Sequence, residues 1–172
     1  MATQASPMVS VEEYLRSVYE PDCDYVDGVV EERGVGEIDH SEIQSAVLSF
    51  FRARSKEWGL RALAECRMQV SPTRFRVPDV TVLHARQVAK RIIDDAPLLC
   101  VEVLSPEDTW KRLKVKVEDY RKFGVKNIWI FDPEEREVFR YDAEGFQKIS
   151  DAELTITGTP VRVSVAEIFA GL

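Results

Sequence analysis

The chain has 172 residues, 45% of them hydrophobic and 31% charged, which is typical of a globular domain with its own core. Its net charge of −7 excludes a surface that is basic overall, so any affinity for nucleic acid must come from a local group of cations. No apolar run reaches the ~20 residues of a membrane span, the first residues lack a secretory signal, and three scattered cysteines form no disulfide pattern. We therefore expect one domain over residues 1–172, in the cytoplasm and without membrane association.

Local signals in the N-terminal part predict a helix, a hairpin and a longer helix. Ser10 and Glu13 form a capping box that opens a short helix. Asp27-Gly28 lies between two pairs of residues that favour strands and predicts a hairpin, because glycine accepts the positive φ of a type I′ turn. Apolar residues at helical spacing then predict a helix over residues 39–58, with Gly59 as its C-cap.

The rest of the chain is dominated by segments rich in apolar and β-branched residues. They predict strands at 60–70, 76–83, 98–104 and 127–131, followed by a smaller antiparallel set at 137–141, 146–149, 153–157 and 161–165. A helix over residues 107–123, ended by Gly124, separates two buried strands. These strands are then parallel and joined by a right-handed crossover if they share a sheet. A short helix is expected at 166–169. These elements predict an α/β fold with a mixed sheet, flanking helices and a C-terminal antiparallel extension.

Two carboxylates occupy positions where burial disfavours their charge. Glu102 lies within the almost entirely apolar strand 98–104, and Asp79 follows a proline inside strand 76–83. Burying an unpaired charge is costly, so each acid needs a partner. A divalent cation between them, such as Mg²⁺ or Mn²⁺, would serve both acids. An arginine or a backbone amide would serve as well, and three arginines are close in sequence: Arg67, Arg74 and Arg76.

The predicted helix 107–123 carries a run of cations. Lys116 falls on its apolar face, three residues after Leu113, and either extends outward to solvent or points toward an anionic group such as the carboxylate pair. The remaining cations either form a solvated surface balanced by Glu118 and Asp119, steer DNA to one face, or dock an acidic protein. They are Lys111, Arg112, Lys114, Arg121, Lys122 and Lys126.

Pro78-Asp79 followed by Glu102 to Pro106 resembles the active-site signature of the PD-(D/E)xK nuclease superfamily. More closely, the segment 76–133 resembles a prokaryotic family of restriction-endonuclease-like proteins long catalogued as a domain of unknown function. The superfamily signature has a lysine where this chain has Leu104, and Lys116 is the expected replacement. The resemblance covers residues from about 10 to 142, because the chain also matches the family pattern at Asp24 to Gly28, His40-Ser41, Tyr120, Gly124-Val125, Trp129 and Asp132-Pro133.

This resemblance implies a restriction-endonuclease-like core and a Mg²⁺-dependent endonuclease that hydrolyses DNA phosphodiester bonds, with Mn²⁺ as a substitute metal. It implies catalytic roles for Asp79, Glu102 and Lys116. The two carboxylates and the carbonyl of Val103 would hold the metal. The lysine would orient the nucleophile or stabilise charge on the phosphate in the transition state.

Two further residues and one alternative function remain open. His40 either contacts the phosphate or a carboxylate, or is a core histidine. Asp24 either supports the metal site or carries surface charge of the hairpin. The alternative function is a catalytically inactive module for nucleic acid or protein, which the acidic charge balance favours. We also expect a homodimer that pairs through apolar C-terminal strands including Val138 and Phe139.

Overall fold

A computed structural model describes residues 8–34, 36–87 and 90–172 of the chain. Within these ranges the helices are α1 (Val11–Arg16), α2 (Ile38–Trp58), α3 (Trp110–Phe123) and α4 (Val165–Ile168), followed by a 3-10 helix at Phe169–Gly171. The strands are β1 (Asp24–Val26), β2 (Val29–Glu31), β3 (Leu60–Ala64), β4 (Met68–Ser71), β5 (Arg74–Arg76), β6 (Val80–His84), β7 (Leu99–Val103), β8 (Asn127–Asp132), β9 (Glu137–Asp142), β10 (Gly145–Lys148), β11 (Glu153–Thr155) and β12 (Arg162–Ser164).

The central sheet has the strand order β10-β9-β8-β7-β6-β3. Its strands β7 and β8 are parallel and joined through α3, as the sequence predicts, whereas the other neighbours in this sheet are antiparallel. A second sheet has the order β2-β1-β5-β4, and β11 pairs with β12. The predicted class, an α/β fold on a mixed sheet with flanking helices, is confirmed.

Local signals correctly predict how several elements begin and end. The Ser10 hydroxyl accepts a hydrogen bond from the backbone N–H of Glu13 at the start of α1. Gly59 ends α2 with a φ of 63°, and Gly124 ends α3 with a φ of 108°, both in the left-handed region that favours glycine. Among the described residues, no helix combines the length and apolar character that a membrane crossing requires.

Two predicted strands are each divided between the two sheets. Residues 60–70 form β3 in the central sheet and β4 in the other, and the chain turns between them at Glu65, whose φ is +48°. Residues 76–83 divide at Val77-Pro78, because a proline has no N–H to donate to a strand ladder. The sequence predicts Asp79 inside a strand, but in the structure it lies just before β6.

The predicted C-terminal strands are antiparallel, as expected, but they do not form one set. Strands β9 and β10 extend the central sheet, whereas β11 and β12 form a separate antiparallel pair. Strand β9 has β8 on one side and β10 on the other, and Val138 is buried in the core. The predicted pairing of Val138 and Phe139 across a dimer axis is therefore wrong, because both edges of β9 are already hydrogen-bonded.

Strand β7 is covered on both faces, which explains its apolar sequence. Leu99, Val101 and Val103 pack into the core with α2, whereas Cys100 packs into the core with α3. Because side chains alternate along a strand, Glu102 shares the face of Cys100 and points toward α3. The fold thus places an acid from a buried strand beneath the helix that carries the cations.

A buried arginine connects the second sheet to α3. Arg76 is 2% exposed, and its guanidinium lies 3.1 Å from the carboxylate of Asp24 in β1 and 2.7 Å from that of Asp119 in α3. Asp24 also accepts a hydrogen bond from the backbone N–H of Val77 at 2.7 Å, so it fixes the chain between β5 and β6. These contacts compensate for the burial of three charges and hold the segment that leads to Asp79.

We expect Arg76→Met to lower the free energy of unfolding by about 3–5 kcal/mol, because it leaves the buried carboxylate of Asp24 without its cation and leaves Asp119 with Arg74 alone. Chemical denaturation followed by circular dichroism measures this loss. The control is Arg162→Met, since Arg162 lies 3.7 Å from Glu153 on the surface and this pair should contribute less than about 1 kcal/mol. Equal losses in the two variants would contradict the role of Arg76.

Candidate active site

Asp79 is fixed at the start of β6 through both its side chain and its backbone. Its Oδ2 accepts a hydrogen bond from the backbone N–H of Val103 at 2.7 Å, and its Oδ1 accepts one from the guanidinium of Arg33 at 2.5 Å. The backbone carbonyl of Asp79 accepts from the Gln44 amide at 3.1 Å and from the Glu65 N–H at 3.3 Å. The carboxylate is therefore held against the end of β7.

Glu102 is buried and accepts a hydrogen bond on each carboxylate oxygen. Its Oε2 lies 2.7 Å from the ammonium of Lys116, and its Oε1 accepts from the Tyr120 hydroxyl at 2.6 Å. Lys116 and Tyr120 are about one turn apart on α3, so the helix presents both donors to one carboxylate. Lys116 also donates to the carbonyl of Val77 at 3.1 Å. Its side chain therefore points toward the acids and not outward to solvent.

Asp79 and Glu102 lie opposite each other at the end of neighbouring strands. Val80 pairs with Val101 in antiparallel register, so the preceding residue, Asp79, faces Glu102 across the two strands. Both side chains line a cavity of about 170 Å³ together with Lys116. The structure thus brings together the three residues that the sequence analysis predicts to be catalytic.

The two acids differ in their affinity for a proton. Burial raises the pKa of Glu102 to about 7, because the opposing charge of Lys116 only partly offsets it and the charge of Asp79 adds to it. Burial also disfavours the charge of Asp79, but His40, Lys116 and Arg33 outweigh this effect and hold the pKa of Asp79 at about 2. At neutral pH Asp79 is therefore fully ionised, whereas Glu102 is only partly so.

The two further candidates, His40 and Asp24, also line the cavity. The Nε2 atom of His40 lies 3.4 Å from Oδ2 of Asp79, which supports a contact with a carboxylate over a core histidine. Burial disfavours the imidazolium, but Asp79 outweighs this and raises the pKa of His40. Asp24 is 4% exposed, so it is not a surface charge. Burial lowers the pKa of Lys116, but nearby acids outweigh this effect and raise it. Asp24 makes the largest contribution among these acids.

Arg33 is a site residue that the sequence analysis misses. It follows β2, its side chain is 11% exposed, and it contacts Asp79 while its other terminal nitrogen lies 3.6 Å from Glu65. Arg33 and Asp79 are 46 residues apart, so no local pattern links them. The arginines that are closer in sequence to the acids bind other carboxylates: Arg67 binds Asp22, Arg74 binds Asp27 and Asp119, and Arg76 binds Asp24, Glu31 and Asp119.

The donor set fits an open magnesium site better than a closed metal cage. Among the described residues, no group of three or more histidine, cysteine, aspartate or glutamate side chains has the arrangement of a metal site. Mg²⁺ commonly uses one or two carboxylates and completes its shell with water and phosphate oxygens. Asp79 and Glu102 supply such a pair beside a cavity. A cation there would compete with Arg33 for Asp79 and with Lys116 for Glu102.

Comparison with solved structures identifies the fold. The chain is similar to the crystal structure of a "putative nuclease belonging to DUF820" from Anabaena variabilis ATCC 29413, with a TM-score of 0.81 and 22% identity over 94% of this chain and 98% of that one. The fold is therefore restriction-endonuclease-like, as the sequence predicts. A cryo-electron microscopy structure of a DrdV–DNA complex matches with a TM-score of 0.44 and 16% identity, over 64% of this chain and 10% of that one.

The family follows from the sequence itself. The model of the Uma2 family, described as "Putative restriction endonuclease", matches residues 11–172. The chain belongs to this family, and the resemblance drawn from the motifs is confirmed. A search among curated proteins finds no match.

We expect Glu102 to make the protein less stable as the pH rises from about 4.5 to about 7 in the presence of a chelator. In this range the folded protein keeps a proton on Glu102 that the unfolded chain has released, so the folded state loses stability with rising pH. The loss is about 3 kcal/mol. Denaturant unfolding at several pH values measures it, and Glu102→Gln should lack it, unlike the exposed control Glu57→Gln. A pH-independent difference between wild type and Glu102→Gln would contradict the prediction.

Proposed function

We propose that the chain is a Mg²⁺-dependent endonuclease that hydrolyses phosphodiester bonds in DNA, with Mn²⁺ as a substitute metal. The observation that carries the proposal is the 2.7 Å contact between Lys116 and Glu102 beside Asp79. These three groups come from α3, from β7 and from the start of β6, and they converge on one cavity. Membership of a family described as restriction endonucleases and the nuclease fold also support the proposal.

Asp79 and Glu102 would hold the metal, with the carbonyl of Val103 as a third predicted ligand. When bound, the metal would supply Lewis-acid polarisation of the phosphate and of a water molecule. The chain itself keeps the two carboxylates in place. The Val103 N–H restrains Asp79 at 2.7 Å, and the Tyr120 hydroxyl restrains Glu102 at 2.6 Å. Such supporting hydrogen bonds limit the reorganisation that ligands undergo.

Lys116 is the group that stabilises charge in this proposal. Hydrolysis joins a water oxygen to phosphorus and breaks one P–O ester bond, while a proton from the water passes to solvent or to the leaving oxygen. Negative charge increases on the phosphate oxygens in the transition state, and a fixed ammonium in a cavity wall stabilises it. Because its pKa is raised despite burial, Lys116 stays charged at neutral pH. His40 lines the same cavity and adds positive charge when protonated.

We expect Asp79→Asn and Glu102→Gln to reduce DNA cleavage in Mg²⁺ or Mn²⁺ by more than about a hundredfold, because each removes a carboxylate from the metal. Lys116→Met should reduce it by roughly 10²–10³-fold. Nicking of supercoiled plasmid measures activity, and thermal melting verifies that each variant stays folded. Glu57→Gln and Lys56→Met, two exposed substitutions, are the matched controls. Cleavage that persists in either acid variant would remove the proposed site.

The second candidate function is a catalytically inactive module that keeps the nuclease fold and binds nucleic acid or protein. The contact between Arg33 and Asp79 favours it, because a guanidinium on this carboxylate takes a position that a metal would need. In such a module Arg33 would replace the metal permanently. The cavity and the fold would persist, but divalent cations would not bind.

Titration with Mn²⁺ separates the two candidates. We expect calorimetry to detect Mn²⁺ binding to the wild type and to lose it in Asp79→Asn. Arg33→Gln should bind Mn²⁺ at least about tenfold more tightly, because it removes a competing cation. The control is Arg61→Gln, since the Arg61 guanidinium binds the backbone carbonyls of Ala85 and Gln87. If neither the wild type nor Arg33→Gln binds Mn²⁺ at about millimolar concentration, the module is favoured.

The homodimer stays a prediction. Strand β9 is excluded as its pairing strand, whereas the C-terminal strands β10, β11 and β12 each have a neighbour on one side only. Sedimentation equilibrium of the purified chain tests it, because a monomer and a dimer differ twofold in mass.

A further inference from the structure

We name the cavity lined by Asp79, Glu102 and Lys116 the catalytic cavity. A shallow groove of about 480 Å³ runs beside it along the outer face of α3. Its charged lining residues are three cations, Lys111, Lys114 and Arg121, and one acid, Glu118. Val115 lines both the groove and the catalytic cavity, and it is 50% exposed. The two depressions therefore adjoin across this one side chain, and a long ligand can occupy both at once.

Two of the three cations of this groove are available to a ligand. Lys111 and Lys114 lie about one turn apart, both are exposed, and neither forms an ion pair with any residue that the structure describes. By contrast, Arg121 pairs with Glu118 at 2.8 Å. Arg112 lies between the two lysines in sequence and lines the catalytic cavity itself. Positive charge thus extends from the cavity along the first turns of α3, although the chain as a whole is acidic.

A second depression that adjoins the catalytic cavity has the opposite charge. This depression of about 430 Å³ shares His40, Ser105 and Asp108 with the cavity, and apart from His40 its charged residues are all acidic: Glu37, Asp39, Asp108, Asp132 and Glu134. A polyanion would be repelled there, whereas the groove on α3 attracts it. The charge distribution therefore assigns a direction of approach to the cavity.

We propose that the groove on α3 binds the sugar–phosphate backbone of DNA next to the phosphate that is cleaved. The proposal rests on the proposed nuclease function, and it adds the path that the substrate takes. Lys111 and Lys114 contact backbone phosphates, and Arg112 contacts the phosphate at the rim of the cavity. The exposed Val115 packs against the sugars between them. Continuity with the cavity favours a nucleic acid over an acidic protein, because only a phosphodiester uses both depressions.

The experiment measures binding without cleavage. A short fluorescein-labelled DNA duplex is titrated with full-length protein in EDTA, and anisotropy gives the affinity between about 50 and 200 mM salt. Lys111→Ala combined with Lys114→Ala is compared with the wild type. If both lysines contact phosphates, the slope of log affinity against log salt falls by about 2 in magnitude. At about 0.1 M salt the affinity then falls by roughly tenfold to a hundredfold.

The matched control removes the same charge elsewhere. Lys56→Ala combined with Lys126→Ala also deletes two exposed lysines without ion pairs among the described residues, at the end of α2 and before β8. This control should bind DNA with the slope of the wild type. An equal change in both double variants, or no change in either, overturns the proposal. Binding of an acidic protein at Lys111 and Lys114 with no affinity for DNA also overturns it.

Cleavage assays keep this proposal distinct from the proposed function. If DNA binds with the expected change of slope but Mg²⁺ and Mn²⁺ support no cleavage, the groove stands and the nuclease activity fails. If DNA is cut and the cut depends on Asp79, but the slope is the same in all variants, the activity stands and the groove fails.

Discussion

The carboxylate of Glu102 joins a buried strand to the helix that covers it. Its two oxygens meet Lys116 and Tyr120, both on α3, so the same contacts compensate a buried charge and determine how α3 docks on the sheet. A carboxylate in an apolar strand is unfavourable by itself, but its two hydrogen bonds to α3 give this helix one defined position on the sheet. Asp79, opposite on the neighbouring strand, becomes part of the same arrangement because the backbone of β7 binds it.

Around this contact, acidic and basic side chains pair with one another. Asp79 meets Arg33 and His40, Glu102 meets Lys116, and the acids of the second sheet meet Arg76. Mutual neutralisation explains how so many ionisable groups share one buried region. It also means that a metal or a phosphate would enter by exchange, because each arriving charge would take a partner from a side chain already present. Binding would then require side-chain rearrangement.

The sequence predicts what depends on neighbouring residues. Helix ends at Gly59 and Gly124 follow from backbone conformation, and the acid in strand β7 is conspicuous among apolar residues. The parallel crossover follows from the order of the elements. The order of the elements does not predict which sheet each short strand joins, because a hairpin signal indicates that two strands pair but not where the pair lies in the fold. The contact of Arg33 with Asp79 cannot be predicted for the same reason, because 46 residues separate them and only the folded chain brings them together.

The lysine of this site comes from a helix, and Leu104 occupies the strand position where the superfamily signature has lysine. Leu104 packs against the core under α3. It therefore adds apolar contacts at the end of β7 that the charged end of a lysine would not make. The other consequence is cooperative. A strand lysine would keep its place if the helix loosened, but here any event that lifts α3 removes the ammonium, the phenol and the groove together. The site would then switch as a unit, at the same threshold as the local opening of one helix.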